Sequence, residues 1–140
     1  MTTTETLAAA ARIVNGTKTY GDGDAAVTAL HEVNVEFGSA RFTAIMGPSG
    51  SGKSTLMHCI AGLDRLTSGE AFLGDTLLAD LKDKKLTELR RSEVGFIFQS
   101  FNLVPTLTAE ENINLPLSLG GRSGDREWID TVIDTVGLRD

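Results

Sequence analysis

The chain has 140 residues, of which 41% are hydrophobic and 23% charged, and these values are ordinary for one globular domain. Its formal net charge of −6 argues against a broad nucleic-acid-binding surface, although a local basic pocket is compatible with it. The single cysteine, Cys59, excludes an internal disulfide and suits a reducing compartment, and we expect it to be a packed core thiol. His31 and His58 are far apart in sequence, which disfavours a metal site.

The first third of the chain is predicted to consist mainly of strands. Residues 1–10 are predicted to be a disordered tail. They have neither the basic start nor the apolar run of a signal peptide. No stretch approaches the roughly 20 apolar residues of a membrane span. Alternating or apolar patterns predict strands over residues 12–20, 26–30, 33–37 and 41–46, with turns at residues 21–24 and 38–40.

Helices become more frequent in the second half. The apolar residues 56–63 suit a packed helix. They are followed by a turn at residues 67–69, strands within 70–73 and 76–81, a polar helix over 82–91 and an apolar strand over 94–98. A capping-box pattern at Thr108 starts a helix that Pro116 is expected to limit. The last helix carries apolar residues at helical spacing from Trp128 to Val136, with Gly137 as its cap.

The stretch Gly-Pro-Ser-Gly-Ser-Gly-Lys-Ser-Thr, residues 47–55, fits the phosphate-loop pattern G-x-x-x-x-G-K-[ST] between a predicted strand and a predicted helix. Its glycines let bare backbone wrap phosphate oxygens at a helix N-terminus, where the helix dipole favours an anion. Lys53 adds a positive charge for the β- and γ-phosphates, and the Ser54 hydroxyl suits Mg²⁺. The predicted nucleotide-binding residues of the loop are Gly47, Ser49, Gly50, Ser51, Gly52, Lys53, Ser54 and Thr55.

The loop predicts a nucleoside triphosphate with Mg²⁺ without identifying the reaction, because kinases, GTPases and several classes of ATPase share it. Hydrolysis also needs a carboxylate on a second strand. Asp134 has neighbours with helical spacing, and the segment that ends at Asp75 is interrupted by glycine. The residues therefore predict the binding half of a site and no obvious catalytic half.

Further segments around the loop carry a family resemblance. They are Tyr20, Ala61-Gly62-Leu63-Asp64, Thr67-Ser68-Gly69-Glu70 and the run of residues 94–103, Val-Gly-Phe-Ile-Phe-Gln-Ser-Phe-Asn-Leu. In this order they resemble the ATP-binding subunit of an ABC transporter, and more narrowly the branch that serves macrolide export, lipoprotein release and antimicrobial-peptide export. The resemblance implies an α/β phosphate-loop ATPase fold, incomplete, with an N-terminal antiparallel β part and part of the helical subdomain in residues 11–140.

The resemblance also implies roles for single residues. Tyr20 would stack on adenine, and Gln99 would contact Mg²⁺ and the attacking water, which makes Lys53 and Gln99 the catalytic pair. Residues 99–106, including Phe101, Leu103 and Pro105, would receive a helix of the permease. The alternatives are an ordinary strand aromatic for Tyr20, a polar strand end for Gln99 and local core packing for the apolar residues.

The same resemblance implies ATP and Mg²⁺ as cofactors, a head-to-tail homodimer of full-length cassettes and no nucleic acid. It also implies a cytoplasmic protein that meets the inner face of the membrane only through the permease. The family's Leu-Ser-Gly-Gly-Gln segment, its catalytic glutamate and its late histidine are not in the sequence. Residues 117–121 resemble that segment superficially but lack the glutamine. We therefore expect the N-terminal portion of a longer cassette, which by itself binds Mg-ATP weakly and does not turn it over.

Two other hypotheses remain open. A phosphate-loop kinase would need a basic acceptor site, for which Lys84, Lys85, Arg90 and Arg91 are candidates, although a solvated helix face explains them more simply. A non-catalytic fragment that only binds nucleotide or permease is the second alternative.

Overall fold

The structure is a computed structural model that describes residues 9–139. The chain divides into two compact units, one ending at Val94 and one beginning at Gly95, and each is described by itself. Most of the tail predicted over residues 1–10 lies outside the described residues. Ala9 and Ala10, however, belong to the first strand.

The described residues of the first unit contain four strands and two α-helices. Its elements are β1 (Ala9–Tyr20), β2 (Val27–Gly38), α1 (Lys53–Ile60), β3 (Ser68–Leu73), β4 (Thr76–Leu77) and α2 (Asp83–Glu93), with 3₁₀ turns at Gly23–Ala25 and Leu78–Asp80. The second unit contains α3 (Ala109–Leu119) and α4 (Arg126–Thr135). The strands predicted at residues 12–20 and 70–73 and the polar helix at 82–91 are confirmed. Residues 26–30 and 33–37 form one strand, β2.

The four strands form an antiparallel sheet in the order β2-β1-β3-β4, which confirms the predicted antiparallel β part. Ile13 lies at its centre, opposite Val35 of β2 and Ala71 of β3, and is 1% exposed. Cys59 of α1 packs in the same core, and burial raises the pKa of its thiol. The prediction of a core thiol is therefore confirmed.

Two predicted strands, residues 41–46 and 94–98, do not form. Phe42 and Ile97 are 99% and 97% exposed, and Met46 is also exposed. A strand is stabilised by a ladder of hydrogen bonds to a neighbouring strand, and within the described residues neither segment has one. Both segments are apolar, but an apolar composition does not by itself provide a neighbouring strand to pair with.

Helix α3 begins as predicted, with a capping box at Thr108. The Thr108 Oγ1 accepts from the Glu111 amide at 3.2 Å, while the Glu111 carboxylate accepts from the Thr108 amide at 2.7 Å. The expectation that Pro116 limits this helix was wrong, because Pro116 lies inside α3 and removes only one donor. The helix instead ends after Leu119, where Gly121 adopts a left-handed φ of 66°.

Gly137 ends α4 in the same way, as predicted. It has a φ of 70°, its amide donates to the Asp134 carbonyl at 3.1 Å, and the Leu138 amide donates to the Ile133 carbonyl at 3.1 Å. These two bonds define a Schellman motif. In the part of the chain that the structure describes, no helix has the length and apolar character needed to cross a membrane.

Candidate functional site: a phosphate loop at the start of α1

The loop ends at Gly52, the N-cap of α1, whose φ is 83°. The first helical hydrogen bond runs from the Leu56 amide to the Gly52 carbonyl at 2.8 Å. The amides of Lys53, Ser54 and Thr55 therefore have no acceptor within the helix. They sit at the positive end of the helix dipole, which is the arrangement that favours an anion.

The loop rests directly on strand β2. A Cβ atom at Gly52 would lie 2.4 Å from the carbonyl oxygen of Ala29, so only glycine fits at this position. Ala29 is itself the extra residue of a β-bulge, because Lys18 of β1 pairs with Leu30 while the next residue, Thr19, pairs with Thr28. The bulge therefore brings a strand carbonyl up against the loop.

A cavity of about 240 Å³ opens between Ala29 and residues 49–55, which are the end of the loop and the first turn of α1. Pockets that enclose a whole small molecule typically measure roughly 300–1,000 Å³. The cavity therefore suits the phosphate end of a nucleotide, with the remainder lying outside it.

The ammonium of Lys53 folds back over the loop. It donates to the carbonyl oxygens of Gly47 at 2.9 Å and Pro48 at 2.6 Å, and it lies 3.3 Å from the Ser51 hydroxyl oxygen. A positive charge is thus held where the loop amides and the helix dipole already favour an anion. Phosphate oxygens can take the place of these carbonyls as stronger, charged acceptors.

Tyr20 lies beside the start of α1. Its hydroxyl donates to Asp64 Oδ2 at 2.8 Å. The Thr55 side chain is near enough to this hydroxyl to lower the pKa of Tyr20, which opposes the larger effect of Asp64, so the structure brings Tyr20 close to a residue of the loop motif. The ammonium of Lys18 lies 4.7 Å from the centre of the Tyr20 ring. Tyr20 is 42% exposed, which leaves surface for an aromatic ligand.

Lys18, Tyr20 and Asp64 form a hydrogen-bonded cluster whose charges are fixed at neutral pH. The hydrogen bond to Asp64 raises the pKa of Tyr20, and the bond between Asp64 and Lys18 raises the pKa of Lys18. Burial by itself would raise the pKa of Asp64, but the hydrogen bonds from Lys18 and Tyr20 outweigh it and lower that pKa. The cluster is therefore a carboxylate, an ammonium and a neutral phenol.

Sequence analysis did not identify Lys18 or Ala29 as site residues, and Asp64 entered it only through the resemblance. Lys18 and Tyr20 are two apart on a strand and so share a face, a signal that could have linked them. No local signal marks Ala29, because its approach to Gly52 depends on how distant segments pack.

The other proposed catalytic residue, Gln99, belongs to the second unit. It is exposed and lies in a stretch without regular secondary structure. Phe101 and Leu103 are 93% and 64% exposed, so the alternative of local core packing is wrong for them. The segment after them is held by Asn112 of α3, which accepts from the Val104 amide at 2.8 Å and donates to its carbonyl at 3.2 Å.

The basic residues considered for a kinase acceptor site have structural roles or face solvent. Arg90 donates to the Gly62 carbonyl at the end of α1 at 2.8 Å. Lys85 pairs with Glu88 one turn along α2 at 2.8 Å, and Lys84 is exposed. Among the described residues there is also no group of histidine, cysteine and acidic side chains that could hold a metal.

A glycine loop that leads into a helix N-terminus, with a lysine and a serine at its end, defines a phosphate-loop nucleotide-binding protein. The sequence profile of the ABC transporter family matches residues 30–140. The chain therefore belongs to the ABC transporter family, in its ATP-binding part, as the resemblance implied.

Relatives agree with this assignment. An uncharacterized ABC transporter ATP-binding protein of Methanocaldococcus jannaschii, MJ0796, is 46% identical over 81% of this chain and 50% of its own length. The macrolide export ATP-binding/permease protein MacB of Bdellovibrio bacteriovorus is 42% identical over 86% of this chain and 19% of its own length. The chain thus spans about half the length of the first of these relatives and a smaller share of the second.

A solved structure supports the fold class. The dimeric, post-hydrolysis state of the MJ0796 cassette bound to ADP and Pi superposes with a TM-score of 0.76 at 44% identity, over 85% of this chain and 52% of that one. The predicted fold, part of an α/β phosphate-loop ABC ATPase, is therefore confirmed. Members of this family bind adenine nucleotides through such cassettes.

Proposed function

We propose that this chain is the nucleotide-binding part of an ABC transporter ATP-binding subunit. It binds Mg-ATP through residues 47–55, and a complete cassette dimer uses hydrolysis to drive export or membrane extraction of a substrate. The observation that carries the proposal is the Lys53 ammonium held over the loop at the start of α1, in a chain of this family. The ADP and Pi in the related MJ0796 cassette support it.

Each site residue has a proposed role. Lys53 binds the β- and γ-phosphates, the Ser54 hydroxyl binds Mg²⁺, and Tyr20 stacks on adenine. The exposure of Tyr20 and its position near Thr55 of the loop motif support the last role. Gln99 contacts Mg²⁺ and the attacking water, a role that rests on the family resemblance.

The first experiment measures the affinity of the chain for Mg-ATP by calorimetry. Lys53→Ala removes charged hydrogen bonds to phosphate and should weaken binding about 10- to 100-fold. Lys84→Ala removes the same side chain from an exposed position of α2 and should leave the affinity unchanged. Equal affinities of the parent chain and Lys53→Ala would contradict the proposal.

Metal dependence and turnover are tested separately. Chelating Mg²⁺ should weaken ATP binding, and Ser54→Ala should reduce that dependence on the metal because it removes the proposed ligand. We expect the 140 residues alone to bind without turnover. ATP hydrolysis by the purified chain that disappears in Lys53→Ala would show that these residues suffice for catalysis, whereas phosphorylation of a small acceptor would favour a kinase.

The permease is proposed to dock on residues 99–106, which carry the exposed Phe101 and Leu103. Membrane attachment would then occur through that subunit. Leu103→Ser in the full-length protein should reduce co-purification with its permease. Leu119→Ser is a matched control in the same unit, since Leu119 is 62% exposed and Leu103 is 64%. An equal effect of both substitutions would place the docking surface elsewhere.

A further inference from the structure

Asp64 is a partly buried carboxylate with both oxygens engaged. Oδ1 accepts from the Lys18 ammonium and from the Arg65 amide, each at 2.7 Å, and Oδ2 accepts from the Tyr20 hydroxyl at 2.8 Å. The Lys18 and Asp64 side chains are only 13% and 31% exposed. A carboxylate with hydrogen bonds at both oxygens has a fixed orientation. The same hydrogen bonds hold the Lys18 ammonium and the Tyr20 hydroxyl in position.

Asp64 is also fixed to the helix that begins in the phosphate loop. Gly62 ends α1 with a φ of 67°, and the amides of Leu63 and Asp64 both donate to the His58 carbonyl, at 2.8 and 3.2 Å. These bonds fold the chain back onto the last turn of α1. Asp64 therefore connects Tyr20, at the end of β1, to the element that carries the phosphate-binding amides.

The ring of Tyr20 depends on this connection for its position. Tyr20 is 42% exposed, so its ring is not enclosed by a core, and its hydroxyl is held by Asp64. Lys18, which lies 4.7 Å from the ring centre, is itself held by Asp64 and by the Arg65 carbonyl at 2.8 Å. Removing the Asp64 carboxylate therefore takes away the hydrogen bond that holds the Tyr20 hydroxyl and one of the two that hold the neighbouring ammonium.

We propose that Asp64 is a positioning residue that holds the Tyr20 ring as a preformed stacking surface for the nucleobase. It acts through Tyr20 and does not touch the nucleotide. The inference rests on the proposed function, in which Tyr20 stacks on adenine. Ordering one free aromatic side chain on binding would weaken the affinity for the nucleotide about two- to tenfold, while phosphate binding at the loop would not change.

The experiment compares Mg-ADP with Mg-pyrophosphate, which has the phosphates but no base. Both are titrated into the parent chain, Asp64→Ala, Tyr20→Phe and the double variant. Asp64→Ala and Tyr20→Phe should each weaken ADP about two- to tenfold and leave pyrophosphate unchanged. In the Tyr20→Phe background, Asp64→Ala should have little further effect. Asp75→Ala, at an exposed position of the β3–β4 turn, is the control for removing an acidic charge.

The outcomes separate this inference from the proposed function. If the parent chain binds neither ligand, the proposed function fails. If it binds both and Asp64→Ala weakens them equally, Asp64 supports the loop generally and the positioning role is overturned. Should Asp64→Ala fail to fold, Tyr20→Phe still decides, because an unchanged ADP affinity without the hydroxyl would also overturn it.

Discussion

The first unit is built around a buried core, whereas the two helices of the second unit are stabilised by capping residues at their ends. The core joins Ile13, Leu30, Cys59, Ala71, Leu78 and Leu86, which come from strands, helices and turns far apart in sequence. None of the described residues from 95 to 139 is buried. Thr108 and Asp125 cap the two helices at their N-termini, and glycines follow their C-termini.

The difference shows two ways of specifying secondary structure. A cap is formed by residues three or four positions apart, so it acts whether or not the helix packs against anything. A strand such as β1 forms only when β2 and β3 supply its hydrogen-bond partners. Its central side chain, Ile13, is buried only when α1 packs against the sheet. We therefore expect core substitutions to disrupt the first unit as a whole and cap substitutions to affect single helices.

The largest expected effect is in the core. Ile13→Ala should lower the free energy of unfolding by about 2–5 kcal/mol, because it leaves a cavity where three strands meet. Ile97→Ala makes the same change at a residue that is 97% exposed and should cost less than about 0.5 kcal/mol. Urea unfolding followed by circular dichroism measures both. Similar costs would mean that the sheet is not the stabilising core of the first unit.

The second-largest effect on the free energy of unfolding is expected where the loop contacts strand β2. Gly50→Ala and Gly52→Ala both place a side chain in left-handed backbone, at φ of 78° and 83°, which costs about 1–2 kcal/mol. Gly52→Ala should cost more, because only its Cβ meets the Ala29 carbonyl, whereas a Cβ at Gly50 meets nothing within 4 Å. The same unfolding measurement compares the two variants. Equal losses would show that β2 does not constrain the loop.

A smaller and more local effect is expected at Thr108. Thr108→Ala should destabilise α3 by about 1 kcal/mol, and Thr108→Ser, which keeps the accepting hydroxyl, should restore most of the loss. Amide hydrogen exchange gives the measurement helix by helix. Faster exchange should be confined to α3, and an equal change in α4 would show that the two helices depend on each other more than their caps suggest.

The smallest expected effect is a change in the pKa of Tyr20. Tyr20 is the only tyrosine, so absorbance at alkaline pH follows its ionisation alone. The hydrogen bond to Asp64 raises its pKa, so the stabilisation from this bond is complete at neutral pH and is lost as the pH rises through the raised value. Asp64→Ala should shift the titration towards the ordinary pKa of tyrosine, while Asp75→Ala should not. An unchanged midpoint in Asp64→Ala would argue against the bond.

The features that sequence analysis predicted correctly are mostly local. The capping box at Thr108, the Gly137 cap and the glycine loop that leads into α1 each depend on a few consecutive residues. The strands expected at residues 41–46 and 94–98 failed because pairing is a tertiary property. Lys18 meets Asp64 across 46 residues, a contact that no local pattern predicts.

The bulge at Ala29 has a consequence for comparing cassettes by motif. One extra residue in β2 sets the surface on which Gly52 rests, yet it lies more than 20 residues away and outside the loop pattern. Deleting Ala29 would leave every letter of the motif intact while removing the carbonyl that the loop is built against. Two chains with identical loops can therefore differ in the surface on which the loop packs, through a single insertion or deletion in a neighbouring strand.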